Sequence, residues 1–321
     1  MAEPAVSFAG IENVLIQAGE CAVTMLPRFG GKIASIRIGE MELLQQPLAP
    51  IAPRTRTMTF DEGDASGWDE CLPSVAACAV MTEAGSVEIP DHGDMWRVEW
   101  QPMLKKAHSV TYRGGCFSLP LRLERTLTLT ERNSGWTLSL DYSVTNLGSE
   151  RVPWSWAAHP LFAVEQGDRI VLPNSITNLL LEGSGGGRLG TAGDLVDWPV
   201  ARLVNGSTTD LSVAEGADSG IGDKLFAGPL RATENWCALE RRSVGVRIRV
   251  TFDAKATPYS GLWICYGGWP ERPGPKQMCV AMEPSTAPVD SLATTGEWSR
   301  VLEPGDCFRW PMEIEMERIE R

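Results

Sequence analysis

The chain has 321 residues, enough for a substantial core in one large unit or two ordinary ones. Its 29 lysines and arginines face 41 acidic residues, leaving a formal net charge of −12. That balance excludes the basic footprint of a nucleic-acid or anionic-membrane binder, because nothing would offset the phosphate charge.

The segment Met1-Ala2-Glu3-Pro4-Ala5-Val6 carries no positive n-region ahead of an apolar stretch, and no apolar run approaches the span of a bilayer. Eight scattered cysteines (21, 71, 78, 116, 237, 265, 279 and 307) form no Cys-x-x-Cys pair. Reduced, buried thiols and a cytoplasmic setting are therefore expected.

Trp96, Val98 and Trp100 predict a short strand by their alternation. Leu121, Leu123, Leu127 and Leu129 keep one phase, as do Trp136, Leu138, Leu140 and Tyr142. The run Gly183-Ser184-Gly185-Gly186-Gly187 is the best linker candidate by composition, but strand patterns continue on both sides of it. It lacks the Gly-Lys-Ser/Thr ending of a phosphate loop, which favours a surface loop. Asn205-Gly206-Ser207 fits a glycosylation acceptor, a triplet common by chance and without consequence inside the cell. Val244, Val246, Ile248, Val250 and Phe252 alternate with polar residues or glycine, and so do Trp310, Met312, Ile314 and Met316. No long stretch offers the three- and four-residue spacing of an amphipathic helix. With 32 glycines and 22 prolines punctuating short strands, the chain is predicted to be all-β: one large antiparallel β-sandwich over residues 1–321.

Three short contexts carry chemistry. His92 lies in Ile89-Pro90-Asp91-His92-Gly93-Asp94, His159 in Ala158-His159-Pro160-Leu161-Phe162, and Glu283 in Met282-Glu283-Pro284-Ser285-Thr286. Two imidazoles and a carboxylate can give and take protons near neutral pH. Taken singly, each has an ordinary explanation: a turn histidine, a strand-end histidine bonded to backbone, a solvated loop carboxylate. His108, in Lys105-Lys106-Ala107-His108-Ser109, reads as surface. Asp69 and Glu70 are adjacent, so on a strand at most one reaches a shared cleft, and either could be solvated. Trp68, Trp154, Trp156, Trp263 and Trp269 lie near these segments and offer stacking faces, although core packing suits any one of them. Tyr266-Gly267-Gly268-Trp269-Pro270 and the residues to Pro275 read as a long loop bordering a cleft before Glu283. No metal-ligand spacing is present, and no metal or organic cofactor is expected.

The three contexts in this order resemble the aldose 1-epimerase (galactose mutarotase) family. In that family a histidine follows a Pro/Asp/Gly-rich turn, a second lies at a strand end, and a late glutamate precedes proline. Gly67-Trp68-Asp69-Glu70-Cys71-Leu72-Pro73 resembles a segment of its less characterised branches. The resemblance implies a supersandwich fold and interconversion of hexose anomers by ring opening and closure. It makes Glu283 the base for the C1 hydroxyl, His159 the acid for the ring oxygen, and His92 a second donor. It further implies sugar-binding roles, for which Arg54, Arg56, Asp69, Asp223 and Trp263 are the candidates. The upstream pair departs from the family, reading Arg54-Thr55-Arg56 where an Asn-Arg pair is usual. The two arginines would equally suit a phosphorylated or sulfonated hexose, since guanidinium groups bind such oxyanions bidentately. A carbohydrate-binding sandwich without turnover is the reading from another class. The expected partner is a small-molecule sugar, bound by a monomer or homodimer.

Overall fold

A computed structural model describes Phe8 and residues 10–320. Alternation shapes the first of two large sheets. In the Leu121–Arg132 strand every odd residue from Leu121 to Leu129 is buried, with the residues between them partly exposed. This strand turns back at once into Gly135–Asn146, with Arg132 opposite Gly135. Gly135 is required by contact, since a Cβ there would sit 2.1 Å from the Met316 carbonyl oxygen. Gly135–Asn146 pairs with Cys307–Arg318, which pairs in turn with Val246–Phe252, inside an antiparallel sheet of eight strands.

The second sheet has eleven strands. Its middle runs Lys32–Ile38, Trp68–Cys71, Ala157–Ala163, Met278–Ser285, Tyr259–Tyr266 and Ile221–Ala227, each hydrogen-bonded to the next and antiparallel. Val23 and Ile36 from this sheet and Leu123, Leu138, Val250 and Ile314 from the other are fully buried in one hydrophobic cluster. Each such side chain contributes roughly 1.5–3 kcal/mol on leaving water. A polar tie crosses the same interior: Glu70 Oε1 accepts from Arg125 Nη1 at 2.7 Å and from the Tyr142 hydroxyl at 2.9 Å, and Oε2 accepts from Trp156 Nε1 at 2.9 Å.

One local expectation is corrected. Trp96–Trp100 is not a strand; Met95–Arg97 forms a 3₁₀ turn with Trp96 and Trp100 both buried. The alternation misleads because Arg97, which it would place in water, is buried and stacks over the Trp96 ring at 4.2 Å. Asp94 fixes this turn by accepting the Phe117 and Ser118 amides and the Ser118 hydroxyl. The glycine run 183–187 is a surface turn within the β system, in keeping with the strand patterns on both sides of it. It is the bulged end of the Asn178–Ser184 strand followed by one 3₁₀ turn. All eight cysteines are unpaired. Among the described residues no helix is long and apolar enough to cross a membrane.

Candidate active site

Glu70 faces the interior, so its neighbour Asp69 points to the opposite face of the eleven-stranded sheet. That face carries a polar row. Asp69 pairs across with His159. The pairs Ala157–Ser285 and Leu161–Ala281 bracket His159 and place it opposite Glu283. Glu283 is opposite Gly261, and Lys224 is opposite Trp263 two residues further along the same strand. Lys224, Glu283, His159 and Asp69 thus come from four strands onto one face. Gly261 leaves the gap between the first two: a Cβ there would meet Glu283 Oε2 and Phe226 Cε1, each at 3.2 Å. Through that gap the Lys224 ammonium hydrogen-bonds Glu283 Oε2, and it lies 3.4 Å from Asp290 Oδ1. The other glutamate oxygen, Oε1, is buried without a hydrogen-bond partner among the described residues and stands 3.8 Å from His159 Nε2.

Loops close the space above the row. His92 sits in a turn closed by the Gly93 amide on the Pro90 carbonyl at 2.9 Å, with His92 itself at φ 57°. That left-handed backbone is uncommon for a residue with a side chain. It is held by the His92 amide donating to the Val75 carbonyl at 2.5 Å. Gly93 cannot carry a side chain, because a Cβ would lie 2.3 Å from the Leu72 carbonyl oxygen. The turn aims the His92 ring at His159, with centroids 5.1 Å apart and planes near perpendicular, while Asp91 Oδ2 holds His92 Nδ1 at 2.8 Å. Phe60 stacks flat on His92 at 3.8 Å and meets His159 edge-on at 5.5 Å. The Val75 and Ala76 amides pin the Asp290 carbonyl at 2.9 and 2.8 Å, so one short segment fixes both His92 and Asp290.

The result is a cavity of about 500 Å³, within the usual range for small-molecule sites. His92, His159, Lys224 and Asp290 line its polar side, with Phe60, Trp263 and Trp269 as aromatic walls. Trp263 is oriented by its Nε1 donating to Gln277 Oε1 at 3.0 Å, and Gln277 Nε2 in turn donates to the Ala65 carbonyl at 3.0 Å. Arg272 and Glu271 stand on the rim, where Arg272 donates to the Asp61 carbonyl at 2.9 Å.

Burial sets the proton chemistry. It pushes the Glu283 carboxyl above its ordinary value, with the Lys224 ammonium pulling the other way. Burial lowers Lys224, yet the Asp290 and Glu283 carboxylates more than offset this and hold it above the ordinary lysine value. Burial drives His159 well below the usual imidazole range, reinforced by His92, Lys224 and Lys32. The site therefore sets a carboxyl raised by burial and an imidazole lowered by burial beside a fixed ammonium. Among the described residues no three His, Cys, Asp or Glu side chains converge as a metal-binding group.

Of the residues singled out in the sequence, His92, His159 and Trp263 line the cavity, and Glu283 lies beneath it against His159 and Lys224. Four others do not line it. Arg54 is bonded to buried Asp64 and lies 5.0 Å over the Trp96 ring. Arg56 rests on Phe117. Asp69 is buried and bonded to the Lys32 ammonium at 2.6 Å. Asp223 is fully buried on the other face, taken up by Arg188 and by the Ser184 hydroxyl at 2.7 Å. The reason is strand geometry: Asp223 and Lys224 are neighbours, so only one can face the row, and it is Lys224. Trp68, Trp154 and Trp156 are core residues. The sequence reading missed Lys224, Asp290 and Phe60. Period-two phase could have found Lys224 once Asp223 was seen to be its neighbour. Nothing local marks Asp290 or Phe60, which reach the cavity by loop packing.

No protein-family model matches the sequence, and no curated protein matches it by sequence. The fold has solved counterparts. A galactose mutarotase-like protein from Lactobacillus casei superposes with a TM-score of 0.66 at 18% identity, covering 95% of this chain and 100% of its own. The galactose mutarotase related enzyme from Lactobacillus acidophilus gives 0.67 at 16%, covering 96% and 98%. An aldose epimerase homologue from C. elegans gives 0.60 at 12%, covering 96% and 99%. The chain thus has the galactose mutarotase-like β-sandwich fold. At these identities the likeness establishes the fold, and the chemistry must be argued from the site.

Proposed function

We propose that this protein is an aldose 1-epimerase-type isomerase that interconverts the α and β anomers of a hexose. Glu283 takes the proton of the C1 hydroxyl. His159 donates a hydrogen bond to the ring oxygen, and His92, steadied by Asp91, is the second donor, placed to deliver the proton that the ring oxygen takes as the C1–O bond opens. After rotation about the C1–C2 bond the same groups act in reverse on the other face. The observation that carries this reading is the opposition of Glu283 Oε1 and His159 Nε2, 3.8 Å apart, at the base of an aromatic-walled cavity. That separation exceeds a hydrogen bond, so neither group satisfies the other, and in this proposal both turn to oxygens of one sugar ring. Trp263 and Trp269 supply faces for sugar C–H groups.

A neutral hexose suits the cavity better than a phosphorylated or sulfonated one. Arg54 and Arg56 are engaged elsewhere, and Asp61, Asp91, Glu271 and Asp290 outnumber Lys224 and Arg272 around the cavity. Anomer-exchange NMR on glucose, galactose, their 6-phosphates and a sulfonated hexose tests the proposal. Accelerated exchange of a neutral sugar is expected. Binding without acceleration of any sugar would leave a carbohydrate-binding protein instead.

A further inference from the structure

We propose that Lys224, anchored by Asp290, is a positioning residue for Glu283: it occupies Oε2 and leaves Oε1 as the one oxygen presented for proton abstraction. The inference rests on the catalytic reading of Glu283 above and adds a residue to it. Its basis is geometric. A buried carboxylate has two oxygens of equal intrinsic basicity, and here the surroundings make them unequal. Oε2 is bonded to the ammonium, whereas Oε1 has no partner among the described residues and points to His159 Nε2. Glycine at position 261 leaves room for the contact. A side chain there would crowd Oε2 and the Phe226 ring, which itself lies 5.3 Å from the Lys224 ammonium. Asp290, on a backbone pinned by the Val75 and Ala76 amides, holds the same ammonium from its far side.

Charge supports the same arrangement. Burial raises the Glu283 carboxyl, and Lys224 is the largest influence opposing it. The other groups facing Glu283 are Asp290, which raises its pKa, and His92, which lowers it; His159 stands opposite on the neighbouring strand. The buried Cys71 and Cys279 thiols, close enough for the carboxylate to raise them, stay uncharged. Lys224 and Asp290 therefore act on Glu283 with opposite signs.

The test follows the Glu283 carboxyl directly, by ¹³C NMR titration assigned through Glu283→Gln, together with the pH profile of anomer exchange. Lys224→Met should move both the carboxyl titration and the acid limb of the profile to higher pH, with exchange at neutral pH falling on the order of 10²-fold. Lys224→Arg should recover much of that rate. Asp290→Asn, a partly exposed position that keeps the buried lysine in place, should move the titration to lower pH. An unmoved titration in Lys224→Met, or shifts of the same sign in Lys224→Met and Asp290→Asn, overturns the proposal. Should Lys224→Met fail to fold, an unmoved titration in Asp290→Asn overturns it equally. If the wild type exchanges no sugar, the mutarotase reading fails, and the carboxyl titration still decides the role of Lys224.

Discussion

His159 and Glu283 stand opposite each other on adjacent antiparallel strands, with Nε2 3.8 Å from Oε1, although 124 positions separate them in the chain. Sheet register, rather than any local motif, makes them a pair. Register in a buried sheet is hard to slip, because a one-residue shift would turn both side chains to the wrong face. The separation of the two groups is thus fixed by the pairing of two buried strands.

The first consequence concerns the base. Glu283→Gln preserves shape but cannot accept the hydroxyl proton, so anomer exchange should fall by ~10²–10⁴-fold. Polarimetry on a freshly dissolved anomer measures this, and sugar binding followed by tryptophan fluorescence should persist. Wild-type exchange in Glu283→Gln would remove the base assignment.

His159 carries a stability signature. Its folded-state pKa is depressed well below 6.5 by burial, so between that folded value and 6.5 the unfolded chain binds a proton that the native protein does not. Stability contributed by the neutral ring is present above pH 6.5 and is lost as pH falls toward the folded pKa. Urea unfolding at pH 7 and pH 5 should show wild type weakening on acidification, with the drop reduced in His159→Asn. An equal drop in both proteins would place the acid sensitivity elsewhere.

Gly261 should tolerate little. Valine there would press on Glu283 Oε2 and Phe226 in a closed strand interior, at a cost of about 1–3 kcal/mol in overpacking. Because the added atoms meet the glutamate oxygen that Lys224 bonds, exchange activity should fall more than the melting temperature suggests. Thermal melts and exchange rates compared with those of Gly261→Ala, the smaller insertion, separate packing from separation of the pair.

The arginines nominated by sequence should behave differently from each other. Arg54 belongs to a buried set with Lys32, Asp64 and Asp69, in which Lys32 and Arg54 pull the Asp64 carboxyl down to about 2 against the cost of burial. Arg54→Met leaves Asp64 undercompensated and should destabilise the fold by roughly 3–5 kcal/mol. Arg56→Ala, on an exposed residue resting on Phe117, should change stability by less than about 1 kcal/mol. It should also leave the relative rates for glucose and glucose 6-phosphate unaltered. A selective loss of the phosphorylated sugar in Arg56→Ala would restore an oxyanion role to that side chain.

Alternation alone determined much of this protein. Leu121–Leu129, Trp136–Tyr142, Ile248–Phe252 and Trp310–Met316 write their inward and outward faces directly, because a half-buried strand must repeat every two residues. His92, His159 and Glu283 could be singled out from their proline- and glycine-marked settings taken in order, and the fold brings the three together. Tertiary structure decided the rest. Whether Asp223 or Lys224 faces the cavity depends on which side of the sheet is covered, and no residue near them in sequence records that. Arg54 and Asp69 had the right chemistry for sugar hydroxyls, but Asp64 and Lys32, brought beside them by folding, had already claimed it. Asp290 and Phe60 enter the site through loops fixed by distant backbone contacts, for which a sequence has no period. Sequence determined which residues could move a proton, and the register of six neighbouring strands decided which of them face one another.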